Sequence, residues 1–340
     1  AYEVKSTTRV KPPFLKDAAL QYYIITNSGL NLKDFFLTHL NNQYIRRGEL
    51  DVHQLFIHYS LLNDIKELQG EIKEKTAELK AVLNNKLMPA IEIGDHCDNP
   101  YHCDFYGFCS EGIVVEDPDY GTAYIDQNAI KEFLGQLEYP LYYIDFETWM
   151  TAVPQMSGHW PYRQVCFQFS LHIQRTPNAE PEHKYYLAEG VDSPSLVFLE
   201  NLLGVLGNHG TVLVYNKAFE NTRLKELMRE HPQHQDAVEQ VIDRVVDLMA
   251  PFRKNYRLPE MQGSYSIKHV LPALVPELSY DDLTISNGGD ASSAFYNLKN
   301  ETDPVKVQET RDALLEYCGL DTFAMVKLLE KLINNSILHN

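Results

Sequence analysis

The stretch Leu141-Tyr142-Tyr143-Ile144-Asp145-Phe146-Glu147-Thr148 constrains this chain more than any other. An apolar run enters it, and two carboxylates leave it on alternate positions. On a β-strand, side chains i and i+2 share a face, so Asp145 and Glu147 project together, about 6–7 Å apart along the backbone. Two acids on one strand face can hold a pair of hard cations, and a metal pair is a standard way to hydrolyse phosphodiesters. The competing reading of this phrase alone is a strand end with two solvated acids.

A chain of 340 residues points to two or three domains, and 44% hydrophobic content is ample for their cores. No apolar run reaches the roughly 18 residues of a membrane span. The opening Ala1-Tyr2-Glu3-Val4-Lys5 has no Met and no basic-then-apolar leader, which predicts a piece of a longer cytoplasmic parent. The net charge of −17 argues against a broad electrostatic grip on nucleic acid. It leaves a nuclease open, because bound cations reverse local charge and aromatic rings stack bases without lysines.

Along the chain, a short strand is expected at 2–5, a turn at Pro12-Pro13, a helix over about 15–26 and one long amphipathic helix over 60–86. Residues 116–137 read as a linker. From 138 the pattern becomes α/β, with strands at 140–147, 164–174, 184–188, 211–215 and near 245–248. Helices are expected at 194–207 and 217–230, and a last one follows Asp303-Pro304 to near Asn334. Asn287-Gly288-Gly289-Asp290 reads as a turn. The fold class is α/β, a mixed sheet flanked by helices.

Two further phrases join the first. In Val214-Tyr215-Asn216-Lys217-Ala218-Phe219-Glu220, a strand runs out, Asn216 turns the chain and Glu220 enters the next helix. In Tyr317-Cys318-Gly319-Leu320-Asp321, the first and last residues share a helix face. Bland alternatives are a core tyrosine at 317 and a solvated first-turn acid at 220. Asp247 reads as the cap of a turn, and Lys268 as a surface lysine or a phosphate contact.

Together these phrases resemble the DEDD 3′–5′ exonucleases of the DnaQ-like, ribonuclease H-like superfamily, tyrosine subtype, with Glu220 where that family usually has Asp. The resemblance covers about 138–335. The phrases Ile144-Asp145-Phe146-Glu147-Thr148, Gln168-Phe169-Ser170-Leu171-His172 and Gly263-Ser264-Tyr265-Ser266-Ile267-Lys268 also resemble a bacterial family of uncharacterised proteins with a ribonuclease H-like domain. It implies two Mg²⁺ or Mn²⁺ at Asp145, Glu147, Glu220 and Asp321, and an attacking water oriented by Tyr317. It further implies nucleic acid as partner, taken as a single-stranded DNA 3′ end; Asn216 is expected to position the turn or the substrate backbone, and Lys268 is the other candidate substrate contact. The competing functions are a nucleic-acid- or protein-binding module spoiled catalytically by Glu220, and a nuclease acting elsewhere in a longer chain.

Cys97, Cys103 and Cys109 have Cys-x5-Cys-x5-Cys spacing, which reads as a metal site completed by His96 or His102. The triplet resembles the carboxy-terminal cysteines of RecB-like and CRISPR-associated nucleases with an iron–sulfur staple, which implies a [4Fe-4S] cluster; zinc is the alternative. Glu3 and Lys5 resemble half of the PD-(D/E)xK motif, and Gln21 falls where that family's later Gln can lie. The upstream Asp and the fourth Cys have no counterpart. The expected domains are a partial restriction-endonuclease-like segment with a helical arm at 1–115, the linker at 116–137 and the exonuclease domain at 138–340.

Overall fold

The computed structural model describes residues 1–85, 89, 91–99, 101–111, 120–192 and 195–337, apart from the side chains of 336 and 337. The chain divides into two compact units, Ala1–Asp117 with Thr151–Arg163, and Pro118–Met150 with Gln164–Asn340. The division departs from the expected boundaries in two places. Residues 151–163 belong with the amino-terminal unit, and the described part of the expected linker carries secondary structure of the second unit.

The first unit runs β1 (Tyr2–Val4), α1 (Pro12–Asn27), β2 (Phe36–Leu40), α2 (Val52–Leu55), β3 (Phe56–Ser60), α3 (Leu62–Glu67), α4 (Gln69–Asn84) and α5 (Tyr106–Cys109). Strand β2 is central, parallel to β1 and antiparallel to β3. Ala18, Ala19, Phe35, Leu37, Leu61 and Ile65 form its core. Pro12 and Pro13 lie inside the first turn of α1, where a missing N–H costs nothing, rather than in a turn before it. The single helix expected over 60–86 is two helices meeting at Leu68. Ile65 of α3 is buried, whereas α4 buries no residue fully.

The second unit runs β4 (Tyr124–Ile125), α6 (Gln127–Leu134), β5 (Leu141–Trp149), β6 (Val165–Gln174), β7 (Glu182–Leu187), α7 (Ser195–Val205), β8 (Thr211–Val214), α8 (Lys217–Glu230), α9 (Gln235–Asp243), β9 (Val245–Asp247), α10 (Met249–Lys254), β10 (Tyr256–Arg257), α11 (Ile267–Leu274), α12 (Gly288–Asn297) and α13 (Pro304–Ile337). Its main sheet has the order β7-β6-β5-β8-β9. Strands β5, β8 and β9 are parallel, and on the other side of β5 the strand β6 pairs antiparallel with β5 and β7 antiparallel with β6. The fold is thus a mixed α/β sheet with helices.

Strand β5 separates its two faces cleanly. Tyr142, Ile144 and Phe146 enter a core with Phe198 and Leu202 of α7, Leu224 of α8 and Val241 of α9. On the other face, Phe167 of β6 stacks on Phe295 of α12 at 4.0 Å between ring centroids. There Gln168 Nε2 also donates to the Leu314 carbonyl of α13 at 2.7 Å. Strand β6 is covered on both faces, so all its residues are buried and the alternation expected of a half-exposed strand is absent. The expected turn at 287–290 is a helix start. Asn287 Oδ1 accepts the Asp290 N–H at 2.9 Å and caps α12, whose Ala291 and Phe295 are buried. Among the described residues, no helix is long and apolar enough to cross a membrane.

Candidate functional site

Odd-numbered side chains of β5 face α13, which puts Asp145 and Glu147 on one side of the strand. The pairing of β5 with β6 shifts register between Glu147 and Thr148, a bulge immediately past the second acid. Helix α13 supplies Tyr317 and Asp321, one turn apart. These four residues line one cavity of about 600 Å³, together with Lys268 of α11 and Gly288 and Gly289 at the start of α12.

Like charges crowd this cavity. Burial, then Asp321, Glu147 and Glu220, push the Asp145 carboxyl well above the ordinary range. Burial and the Asp321 charge push Glu147 up to about 8, against the pull of Lys268. Asp321 is raised by burial to about 6, held back by hydrogen bonds from Tyr280 and Tyr317 and by Lys268. The Tyr280 hydroxyl donates to Asp321 Oδ1 at 2.7 Å. Lys268 Nζ lies 5.5 Å and 5.6 Å from the ring centroids of Tyr280 and Tyr317 and donates to the Ser286 carbonyl. Its charge lowers the pKa of both Glu147 and Asp321.

Glu220 is only 2% exposed, which overturns the solvated first-turn reading. Burial raises its carboxyl to about 8, with Asp247 adding to the push and its own backbone N–H and Arg223 opposing it. Its Oε2 is buried without a hydrogen-bond partner. It lies off the cavity wall, yet its charge still raises both Asp145 and Glu147. An oxygen-rich, mutually repelling set with an unpartnered buried carboxylate oxygen fits divalent cations, with Asp145, Glu147 and Asp321 on the cavity wall and Glu220 off it.

Asn216 turns the chain as expected, at φ 101° and ψ 69°, a left-handed conformation that Asn tolerates better than most residues. Its N–H donates to Asp247 Oδ1 at 3.2 Å, and Asp247 also accepts the Met249 N–H at 3.0 Å. Asp247 therefore caps the turn that follows it, and Asn216 sits at the turn beside the cavity-lining Tyr215 without itself lining the cavity. Lys268 is on the wall.

Two residues escaped the sequence reading. Cys318 is wholly buried, and its thiol lies within the same group as the Asp145 and Glu147 carboxylates, all within 4.8 Å of one another. Its place inside the Tyr317–Asp321 phrase was the available signal. Tyr280 had none, because it comes from the connection between α11 and α12.

Cys97 is buried, Cys103 half-buried and Cys109 exposed. Among the described residues, the group whose ligand atoms lie within 4.8 Å of one another is Asp145, Glu147 and Cys318, and it includes none of these three cysteines, His96 or His102. His102 Nδ1 instead pairs with Asp98 at 2.7 Å. In the first unit, Lys5 Nζ reaches Glu3 at 2.8 Å and Asp17 at 2.5 Å, and Gln21 Nε2 donates to Asp17 at 3.2 Å. The structure thus brings Glu3, Lys5 and Gln21 together around an acid, Asp17, that the motif reading left out.

Residues 142–266 match the family described as Domain of unknown function (DUF2779). The chain is 26% identical over 241 residues to the uncharacterized protein UU173 of Ureaplasma parvum serovar 3, covering 62% of this chain and 34% of that protein. It is 26% identical over 223 residues to an uncharacterized Mycoplasma pneumoniae protein, covering 59% of this chain and 33% of that one. A Mycoplasma genitalium protein, also uncharacterized, is 23% identical over 227 residues, again covering 59% and 33%. The chain spans about a third of the length of these curated relatives. No solved structure matches it.

Proposed function

We propose that residues 138–340 form a ribonuclease H-like, metal-dependent 3′–5′ exonuclease of the tyrosine DEDD type, acting on single-stranded nucleic acid. The observation that carries this reading is the meeting of Asp145 and Glu147 from β5 with Tyr317 and Asp321 from α13 on one open cavity. Bound at Asp145, Glu147 and Asp321, divalent cations would neutralise phosphate charge and activate water for attack at phosphorus.

The chain's own residues have distinct tasks. The Tyr317 phenol, its pKa raised by burial and the surrounding acids, stays protonated and can donate to or orient water beside the phosphate. Tyr280 holds Asp321 in a fixed orientation and favours its ionised form. Lys268 partly offsets the negative charge and stands on the wall where a phosphate oxygen enters. Glu220, with its buried and unpartnered Oε2, is the fourth carboxyl of the set. The mixed sheet flanked by helices supports the ribonuclease H-like reading, as does the order of the three motifs. A staple at Cys97, Cys103 and Cys109 is proposed from the resemblance alone, as an iron–sulfur cluster; visible absorption of anaerobically prepared protein tests it.

The deciding experiment is degradation of a 3′- or 5′-labelled single-stranded oligonucleotide with Mn²⁺, wild type beside Asp145→Ala. Stepwise loss from the 3′ end that vanishes in the variant supports the reading. Absence of cleavage by both proteins favours a binding module. A second reading rests on the meeting of Glu3, Lys5 and Gln21 with Asp17, an acid that stands downstream of Lys5 and not at the upstream Asp position of the PD-(D/E)xK motif. Cleavage that survives Asp145→Ala and is lost in Lys5→Ala would move the chemistry to the first unit.

A further inference from the structure

In a chain with 47 acids and 30 bases, three exposed cations stand together. Arg253 and Lys254 end α10, and Arg257 lies on β10. Among the described residues, none of the three takes part in an ion pair. They border a cleft of about 480 Å³ whose walls include two exposed tyrosines, Tyr124 at 49% and Tyr265 at 43%. The guanidinium of Arg253 lies 6.0 Å from the Tyr265 ring centroid. Phe252, which lines the cleft, packs against Tyr256 of the same cleft at 5.7 Å and against Tyr215 at 6.4 Å between ring centroids.

This cleft adjoins the acidic cavity. Tyr215 lines that cavity, and its hydroxyl donates at 2.9 Å to the carbonyl of Tyr265, which lines the cleft. The loop Gly263-Ser264-Tyr265-Ser266-Ile267-Lys268 borders the cleft with its first residues and the cavity with its last two. Exposed cations between exposed rings match one polymer in particular, a single strand that offers phosphates and unstacked bases together.

We propose that this cleft binds a single-stranded nucleic-acid segment, with phosphates against Arg253, Lys254 and Arg257 and bases against Tyr124 and Tyr265. The inference rests on the exonuclease reading for its direction, because the strand held there would be the one whose end enters the acidic cavity.

The test is binding of a labelled single-stranded oligonucleotide in EDTA, followed by fluorescence anisotropy across a salt series. The double variant Arg253→Ala/Arg257→Ala should weaken binding at least tenfold. Two lost phosphate contacts should also make the slope of log K against log salt less negative by about 1.4. Tyr265→Ala should weaken binding by about tenfold and leave the slope unchanged, because stacking releases no counterions. Wild-type affinity and slope in all variants would overturn the proposal, as would wild-type protein that fails to bind. Equal capture of polyglutamate would overturn it in favour of an acidic protein partner. A cleavage assay with Mn²⁺ separates the two readings. Cleft-dependent binding without cleavage keeps this inference and removes the exonuclease; cleavage with cleft-independent binding does the reverse.

Discussion

The thiol of Cys318 lies 3.7 Å from Asp145 Oδ2 and 3.8 Å from the Asp145 carbonyl oxygen. Sulfur and oxygen ligands of one tetrahedral zinc ion stand about 3.5 Å apart, given bonds of about 2.3 and 2.0 Å. The spacing therefore suits a soft cation held by Asp145, Glu147 and Cys318. Burial and three acids hold the thiol protonated when no cation is present, so hard cations meet the carboxylates alone. Zn²⁺ is expected to bind tightly and compete with Mn²⁺. Co²⁺ should show a sulfur-to-metal charge-transfer band that Cys318→Ser abolishes, with zinc affinity falling roughly tenfold or more. An unchanged band in the variant would place the sulfur ligand elsewhere.

Proton linkage gives the second prediction. Glu147 and Glu220 are pushed up to about 8 and Asp321 to about 6, whereas unfolded carboxylates titrate near 4. The native metal-free domain therefore binds more protons than the unfolded chain between about pH 4 and pH 8. Its stability should fall as pH rises through that window, and Mn²⁺ affinity should rise, because the cation displaces those protons. Thermal melts in EDTA and in Mn²⁺ across the window check both signs. Asp145→Asn should flatten the EDTA trend, raise the metal-free melting temperature and remove the Mn²⁺ effect.

Tyr280 yields the third. Its hydrogen bond favours ionised Asp321, so Tyr280→Phe should raise the Asp321 pKa and shift the acidic limb of the activity profile to higher pH. The cost in stability should be about 1–3 kcal/mol, because a buried acceptor loses its donor. Tyr317→Phe should behave differently, with turnover falling about a hundredfold or more while metal affinity stays near wild type. Equal effects of the two variants on turnover and on metal affinity would remove the separate role assigned to Tyr317.

These contrasts show which parts of the site were readable in the chain. Asp145 with Glu147 and Tyr317 with Asp321 are local pairs, each fixed by the period of one element, so the sequence displays them directly. Glu220 was visible, but its burial was not, since it depends on where α8 packs. Tyr280 reaches Asp321 from an irregular connection, where no periodicity exists to read. Gly288 and Gly289 were misread because glycine pairs favour turns. The cap of Asn287 and the burial of Ala291 and Phe295 override that preference. In the first unit, β2 was missed although Leu37, Thr38, His39 and Leu40 are all buried, because a strand covered on both faces shows no alternation.

The last prediction concerns the turn that sets β8 beside β5. Gly210 has φ +89°, and a Cβ there would stand 2.2 Å from the Pro140 carbonyl oxygen and 2.9 Å from its Cδ. The next residue, Thr211, exchanges two bonds with Glu138, its N–H to the Glu138 carbonyl and its Oγ1 from the Glu138 N–H, both at 2.8 Å. The clash falls on backbone, so the neighbours cannot yield by a side-chain rotation. Gly210→Ala should therefore cost at least about 3 kcal/mol, combining left-handed strain with overpacking. For a unit of this size that corresponds to about 6–12 °C in melting temperature. Because β8 leads directly to Asn216 and Glu220, Mn²⁺ affinity should fall in the variant while it remains folded. An unchanged melting temperature would mean that the backbone of Pro140 and Gly210 is not in the close approach described.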